Sequence, residues 1–245
     1  MCFSEGASLG MAILGGLSSI AIYKYINFKA AFCIFYFTLM QIIHYIGYQV
    51  IDECNDKTNQ LMSILNYYHI CFQAPVWLIG WLGVFEKFKI IKPLYLKFMP
   101  ILISMALITS ILMGLRRFDW PGNIPNEHKT ILEKSKVNDD INEALQGKLC
   151  STTGKHHIKF RLPLRSEPSY YTPNLFGHFL FFFVPLLLFN NTTRIIAILT
   201  WLFGLLIPTV YLQIETSESS TVWCFLSIIQ LTIMYGYLIF KSKRH

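Results

Sequence analysis

Charge is what this sequence has least of. Only 14% of its 245 residues are Asp, Glu, Lys or Arg, where a soluble domain carries about 25%. Acidic side chains are the scarcer sign, 14 against 21 basic ones. A chain so poor in charge cannot cover itself with a water-facing surface, which excludes an ordinary soluble enzyme. The run 221–240 contains no lysine, which excludes a retinal protein, since that chemistry needs a Schiff-base lysine there. The third apolar run ends Gly83-Val84-Phe85-Glu86-Lys87, without the acidic-Arg-Tyr motif of rhodopsin-like receptors. No HxxxH or HExxH pair occurs, which counts against metal-dependent membrane hydrolases of the ceramidase and adiponectin-receptor type. No internal repeat is visible, which counts against transporters built from paired three-helix units. We expect no cleavable signal peptide: a basic n-region is lacking, and Glu5 precedes the apolar run that begins at Ser8.

What the sequence has in quantity is apolar length. It is 53% hydrophobic and 16% aromatic, with a mean hydropathy of +0.44. Apolar runs fall at 7–26, 29–51, 60–84, 93–114, 173–190, 194–213 and 221–240. About 20 such residues cross a hydrocarbon core, so the fifth is short and the others fit. The fold class expected is all-α integral membrane: one domain over 1–245, a seven-helix bundle. Between the runs, Lys24 and Lys29, then Glu86, Lys87, Lys89, Lys92 and Lys97, then Arg194, and finally Lys241, Lys243 and Arg244 make one side basic. The other side carries Glu5, Asp52, Glu53, Asp56, Lys57, Glu215 and Glu218. The positive-inside rule then puts the N-terminus outside and the C-terminus in the cytoplasm. The net charge of +7 is therefore assigned to topology and anionic headgroups, with the lipid bilayer as partner and no nucleic acid. The sequons at Asn190 and Asn191 fall on the inner side and are expected to be silent.

One sizeable polar piece interrupts the pattern, an extracytoplasmic insertion over 115–172. Ile131, Leu132, Ile141 and Leu145 suggest one or two short helices in it. Ile158, Phe160 and Leu162 alternate with His157, Lys159 and Arg161, which is strand periodicity closed by Pro163. In the first run Ser8, Ala12 and Gly16 recur every four residues, with Gly15 and Ser19 beside them, a spacing that lets a second helix approach closely. Cys33 and Cys71 lie within runs and are expected to pack as small apolar residues. Cys2, Cys54, Cys150 and Cys224 map to the outer end, where three pairings are open. Cys54 with Cys150 is preferred, because it ties the insertion down over the polar stripes described next. Cys2 is also a candidate nucleophile with a nearby histidine as base, against the plainer readings of disulfide, acylation or packing. Trp223 is expected as an aromatic-belt anchor.

Two stripes of polar residues interrupt the apolar runs. Gln41, His44, Tyr48 and Asp52 follow one helical face of the second run, and Asn66, His69 and Gln73 one face of the third. Both histidines lie about 12–14 Å below the outer surface at 1.5 Å per residue, and His178 falls in the same half of the fifth run. Intramembrane polar and ionisable groups are costly and are site candidates by default. The plainest reading is an interhelical hydrogen-bond network. The next is a cavity for a small molecule or lipid, lined by Gln41, His44, Tyr48, Asn66, His69 and Gln73, with no cofactor. A third is zinc on His44, His69 and His178. For the runner-up function, a membrane-embedded lipid hydrolase, the catalytic candidates are Cys2, Asp52, His69 and His157. His156 and His157 could cap the cavity from the insertion.

A resemblance emerges at these residues. Met1-Cys2-Phe3-Ser4, Val50-Ile51-Asp52-Glu53-Cys54 followed by Asn59-Gln60, and Tyr68-His69-Ile70 with Gln73 carry it, together with the run His157 to Leu164 and Trp223-Cys224-Phe225-Leu226-Ser227. The chain resembles an uncharacterised family of small seven-helix membrane proteins that typically open Met-Cys-Trp-Ser. Here Phe3 and Phe160 stand where tryptophan is expected, and Gln41 where a glutamate is, which weakens any carboxylate chemistry in the second run. The resemblance implies a fold and a cluster of outer-face residues, and no known activity.

Overall fold

The computed structural model describes residues 4–115, 149–161 and 216–242, with residues 180–183, 187, 191, 194, 195, 198, 199 and 202 besides. The helices are α1 (Glu5–Tyr25), α2 (Phe28–Gln49), α3 (Lys57–Phe88), α4 (Pro93–Gly114) and α5 (Thr216–Ser242). All five are long and apolar enough to cross a membrane. A two-stranded antiparallel hairpin, β1 (Cys150–Thr153) and β2 (Ile158–Arg161), pairs Ser151 with Phe160 and Thr152 with Lys159. The runs 173–190 and 194–213 lie outside the described residues apart from the isolated positions above. So do Cys2, His178, the sequons apart from Asn191, and the helices expected within the insertion.

The starts of α1 to α4 follow from the residues placed there. Ser4 accepts from the Ala7 N–H, Asn27 from Ala30, and Asp56 from Thr58 and Asn59, while Pro93 at the first turn of α4 has no N–H to satisfy. The Asn59 and Thr58 N–H groups hold the Asp56 carboxyl below the usual carboxylate range. α3 runs for 32 residues, about 48 Å at 1.5 Å per residue, longer than a hydrocarbon core of about 30 Å. Polar residues at both its ends, Lys57 to Asn59 and Glu86 to Lys87, continue the helix past the apolar run at 60–84. α2 stops at Gln49, short of the expected position 51, and Asp52 sits beyond it with φ 67°. Asp52 is therefore off the helical face of Gln41, His44 and Tyr48, because the chain has already turned.

α1 packs on α2, α2 on α3, α3 on α4, and α5 against α1, α2 and α3. The seam of α1 keeps Ser8, Gly15 and Ser19 of the expected small-residue stripe, Gly15 against Thr38 and Ser19 donating to the Ala31 carbonyl, and leaves Ala12 and Gly16 off it. Its buried residues are Ser8, Met11, Gly15, Ser18 and Ile22, in alternating steps of three and four. A seam between two helices follows a period near 3.5, whereas a strict four-residue spacing drifts off it. A Cβ on Gly15 would collide with Thr38, while one on Gly16 would meet nothing within 4 Å. The far sides of α1 and α4 expose Leu9, Ile13 and Leu17, and Ile101, Ile108 and Leu112, as a lipid-facing surface requires.

Between α2, α3 and α5 the core is aromatic: Phe37, Trp77, Trp81, Phe85, Trp223 and Tyr235 are fully buried, with Phe182. Trp223 is thus a core residue, not an interface anchor. Its ring meets Phe182 edge-on at 4.7 Å and Phe37 at 5.8 Å. At the end of the bundle away from the hairpin, Asn27 donates to the Gly83 carbonyl (2.8 Å) and Lys29 pairs with Glu86 (2.7 Å). A Cβ on Gly83 would press on Asn27 Oδ1 and the Ala30 nitrogen. The α1–α2 turn and the lysine-rich α3–α4 turn therefore share one end, and the hairpin lies at the other.

Candidate ligand site beneath the hairpin

The hairpin is seated by one strand. β1 begins at Cys150, disulfide-bonded to Cys54 with Cα atoms 4.9 Å apart, so the preferred pairing is the one present. Buried Asn59, in the first turn of α3, treats Ser151 as a strand neighbour would. Its Oδ1 accepts from the Ser151 N–H (2.8 Å), and its Nδ2 donates to the Ser151 carbonyl (2.9 Å) and to that of Val50 (2.7 Å). The Asp52 N–H donates to the same Ser151 carbonyl (3.0 Å), and the Ser63 and Ser151 hydroxyls lie 2.6 Å apart. Asp52 spends its carboxylate on the hairpin: Oδ1 accepts from the Thr153 N–H (2.8 Å) and Oδ2 from the Thr153 hydroxyl (2.5 Å). The candidate catalytic acid is a clamp.

β2 is the strand that reaches into the bundle. Strand alternation separates Ile158 and Phe160 from His157 and Lys159 as two faces, yet all four side chains are buried. His157 precedes β2 in a bend that turns it toward α2 as well. Its ring lies 4.8 Å from His44 and 5.8 Å from Tyr48, while Phe160 lies 5.8 Å from His44 and Ile158 covers Gly47. From α5, the Thr221 hydroxyl donates to the Ile158 carbonyl (3.2 Å). The Ile158 N–H donates to His157 Nδ1 (2.7 Å), so Nδ1 is unprotonated and the Tyr48 hydroxyl, 3.1 Å away, donates to it too. The proton of neutral His157 is then on Nε2.

Burial pushes the His157 imidazole well below its usual range, and nearby His44 adds to the effect. The sign follows from linkage. The opened form protonates near pH 6.5 while the seated form does not, so seating is complete above that pH and weakens as pH falls below it. The slope is at most about 1.4 kcal/mol per pH unit. Amide exchange at Thr153 and Ile158 is expected to accelerate between about pH 6.5 and 5. His157→Phe should flatten that dependence, and an unchanged profile in the variant would place the titration elsewhere.

One level deeper, α2 and α3 oppose a set of uncharged polar side chains. His44 Nε2 lies 3.3 Å from Asn66 Oδ1. Gly47 lies against Met62, and Gly80 against Cys33. This antiparallel register puts Gln41 at the level of His69. The His69 ring is stacked on Tyr36 at 4.1 Å, with Phe37 at its edge and the Tyr36 hydroxyl donating to the His69 carbonyl (2.7 Å). Below that level Gln73 donates to the thiol of Cys224 (2.7 Å) on α5, so Cys224, an outer disulfide candidate by sequence, is a free buried cysteine. Both amide atoms of Gln41, His44 Nδ1, Asn66 Nδ2 and His69 Nε2 are buried with no hydrogen-bond partner among the described residues. Native interiors tolerate few such groups, because each costs about 1–3 kcal/mol.

The structure thus divides the six candidate ligand-binding residues. Gln41, His44, Asn66 and His69 retain unused polar atoms, whereas Tyr48 is engaged with His157 and Gln73 with Cys224. Among the described residues no group of three His, Cys, Asp or Glu could hold a metal ion; His178, the third candidate zinc ligand, and Cys2 lie outside them. Sequence reading missed Asn59, Ser63, Ser151 and Tyr36. Only Asn59 left a signal, as a polar residue just after the Asp56 cap. No curated protein and no solved structure matches this chain. A family model does, over residues 6–243, described as a family of unknown function (DUF5765). On that match the chain belongs to this uncharacterised family.

Proposed function

We propose that this protein is a seven-helix membrane protein, N-terminus outside and C-terminus cytoplasmic, with the hairpin on its outer face. In this reading it binds a small molecule or lipid among Gln41, His44, Asn66 and His69, with Tyr48 and His157 closing the outer side. The observation that carries the reading is that Gln41, His44, Asn66 and His69, on two successive levels of α2 and α3, each keep a buried polar atom without a partner among the described residues. Each such group destabilises the bundle, and a ligand that hydrogen-bonds these four neighbouring side chains offsets the cost. The orientation is supported by the lysines of the α3–α4 turn at the end opposite the disulfide.

Gln41→Met combined with Asn66→Leu tests the reading, because two expected changes have opposite signs. Gln41→Met removes two orphaned atoms, so the stripped protein should gain about 1–3 kcal/mol from it. Asn66→Leu removes the orphaned Nδ2 but takes the acceptor from His44 Nε2, and should leave stability nearly unchanged. A molecule detected by native mass spectrometry on the wild-type protein should be lost. Destabilisation together with retained binding would sink the site. Stoichiometric zinc in the purified protein, lost on His69→Ala, would instead favour the hydrolase reading.

A further inference from the structure

We infer that the ligand is an uncharged lipid headgroup carrying at least one hydroxyl and one or more ester or amide carbonyls, the chemistry of a diacylglycerol; this rests on the binding reading above. The unused atoms define the complement. His44 places Nε2 toward Asn66 Oδ1, which leaves Nδ1 as an acceptor that only an O–H or N–H can satisfy. Asn66 Nδ2 offers donors, and Gln41 offers a donor and an acceptor. A ligand matching them has a hydroxyl hydrogen to give and carbonyl oxygens to receive.

Charge decides against phosphate and carboxylate heads. Lys159 is the one charged side chain among the described buried residues. It alternates with Ile158 and Phe160 on β2 and so takes the face opposite the one they turn to α2. Asp52 is exposed and occupied with Thr153. Among the described residues, a phosphate placed between Gln41 and Asn66 would therefore meet no lysine or arginine, only the buried imidazoles of His44 and His69, and burying its charge there costs more than its hydrogen bonds return. Depth decides for a lipid. Gln41 lies eight residues from the end of α2 at Gln49, about 12 Å along the helix. The side away from the hairpin is closed by the Phe37, Trp77, Phe182 and Trp223 rings.

The test uses the full chain in nanodiscs of phosphatidylcholine, with diazirine-bearing diacylglycerol and phosphatidic acid of matched acyl chains as probes. Diacylglycerol is expected to label α2 or α3 near Gln41 and Asn66 at least tenfold more than phosphatidic acid. Gln41→Met/Asn66→Leu should abolish the labelling while the Cys54–Cys150 disulfide and monodisperse elution persist. Gln41→Leu alone, which keeps a similar size and removes both polar atoms, should lower it at least tenfold should the double variant fail to fold. Equal or stronger labelling by phosphatidic acid at the same residues would overturn the uncharged class and leave the binding reading standing. A water-soluble molecule co-purifying at the site, with neither lipid labelling it, would overturn the lipid assignment alone. No label at the site and no co-purifying molecule would overturn both.

Discussion

Replacing Asn59 by leucine is expected to unseat the hairpin while leaving the helices intact. The leucine fills a similar volume but can neither accept from the Ser151 N–H nor donate to the Val50 carbonyl, both of which face Asn59. The Ser151 carbonyl keeps the Asp52 N–H and the Val50 carbonyl keeps the Glu53 N–H, so one backbone group, the Ser151 N–H, is orphaned rather than three. At about 1–3 kcal/mol for a buried orphan, the seating should weaken by that much. Asn59→Asp is the sharper variant: it keeps an acceptor for Ser151 and turns the donating arm into a second acceptor aimed at two carbonyls. Amide exchange at Ser151 and Thr153 should rise steeply in both variants, with α1 and α4 unaffected. Unchanged protection at Ser151 would show that the disulfide and Asp52 suffice.

Cys54→Ser with Cys150→Ser is the second large effect. The bridge closes a sequence separation of 96 residues, for which a chain-entropy estimate approaches 4.7 kcal/mol, against about 2–4 kcal/mol commonly found. The lower range applies here. α3 and α4 both lie inside the closed loop and, in lipid, stay helical when tertiary packing is lost, so fewer joints are free to gain entropy. A loss of about 2–4 kcal/mol in hairpin seating is expected, read as Ser151 exchange under oxidising and reducing conditions. Because Cys54, Asp52 and Asn59 all grip the same strand, combining this change with Asn59→Leu should cost less than the two effects added. Strict additivity would mean that the bridge and Asn59 hold separate structures.

Much of this architecture is legible in residue order alone. Apolar runs at 93–114 and 221–240 announce α4 and the body of α5, because in lipid a run of that length has no other way to satisfy its backbone. Topology puts Cys2, Cys54, Cys150 and Cys224 at one end and leaves three pairings open; Cys54 with Cys150 is the preferred one because it ties the insertion down, and it is the one present. The polar stripes on α2 and α3 were readable from helical periodicity up to Tyr48, and failed at Asp52 because the helix ends first. Periodicity assigns faces only while the helix lasts.

The remainder depends on contacts between distant segments. Cys150 to Thr153 has no alternating pattern to announce a strand. It is β1 because Asn59 and Asp52, about a hundred residues earlier, bind its backbone and Cys54 bonds the Cys150 side chain. Trp223 could stand at an interface or in a core, and only the approach of Phe37 and Phe182 makes it core. Composition and spacing determine that apolar helices form and which faces of them are polar, since those follow from local periodicity and the cost of burying a bare backbone. Which polar groups find partners, Tyr48 and Gln73 but not Gln41, and which strand closes over them, was decided only by tertiary structure. A hydrogen bond needs two groups within about 3 Å, and no linear pattern encodes that distance.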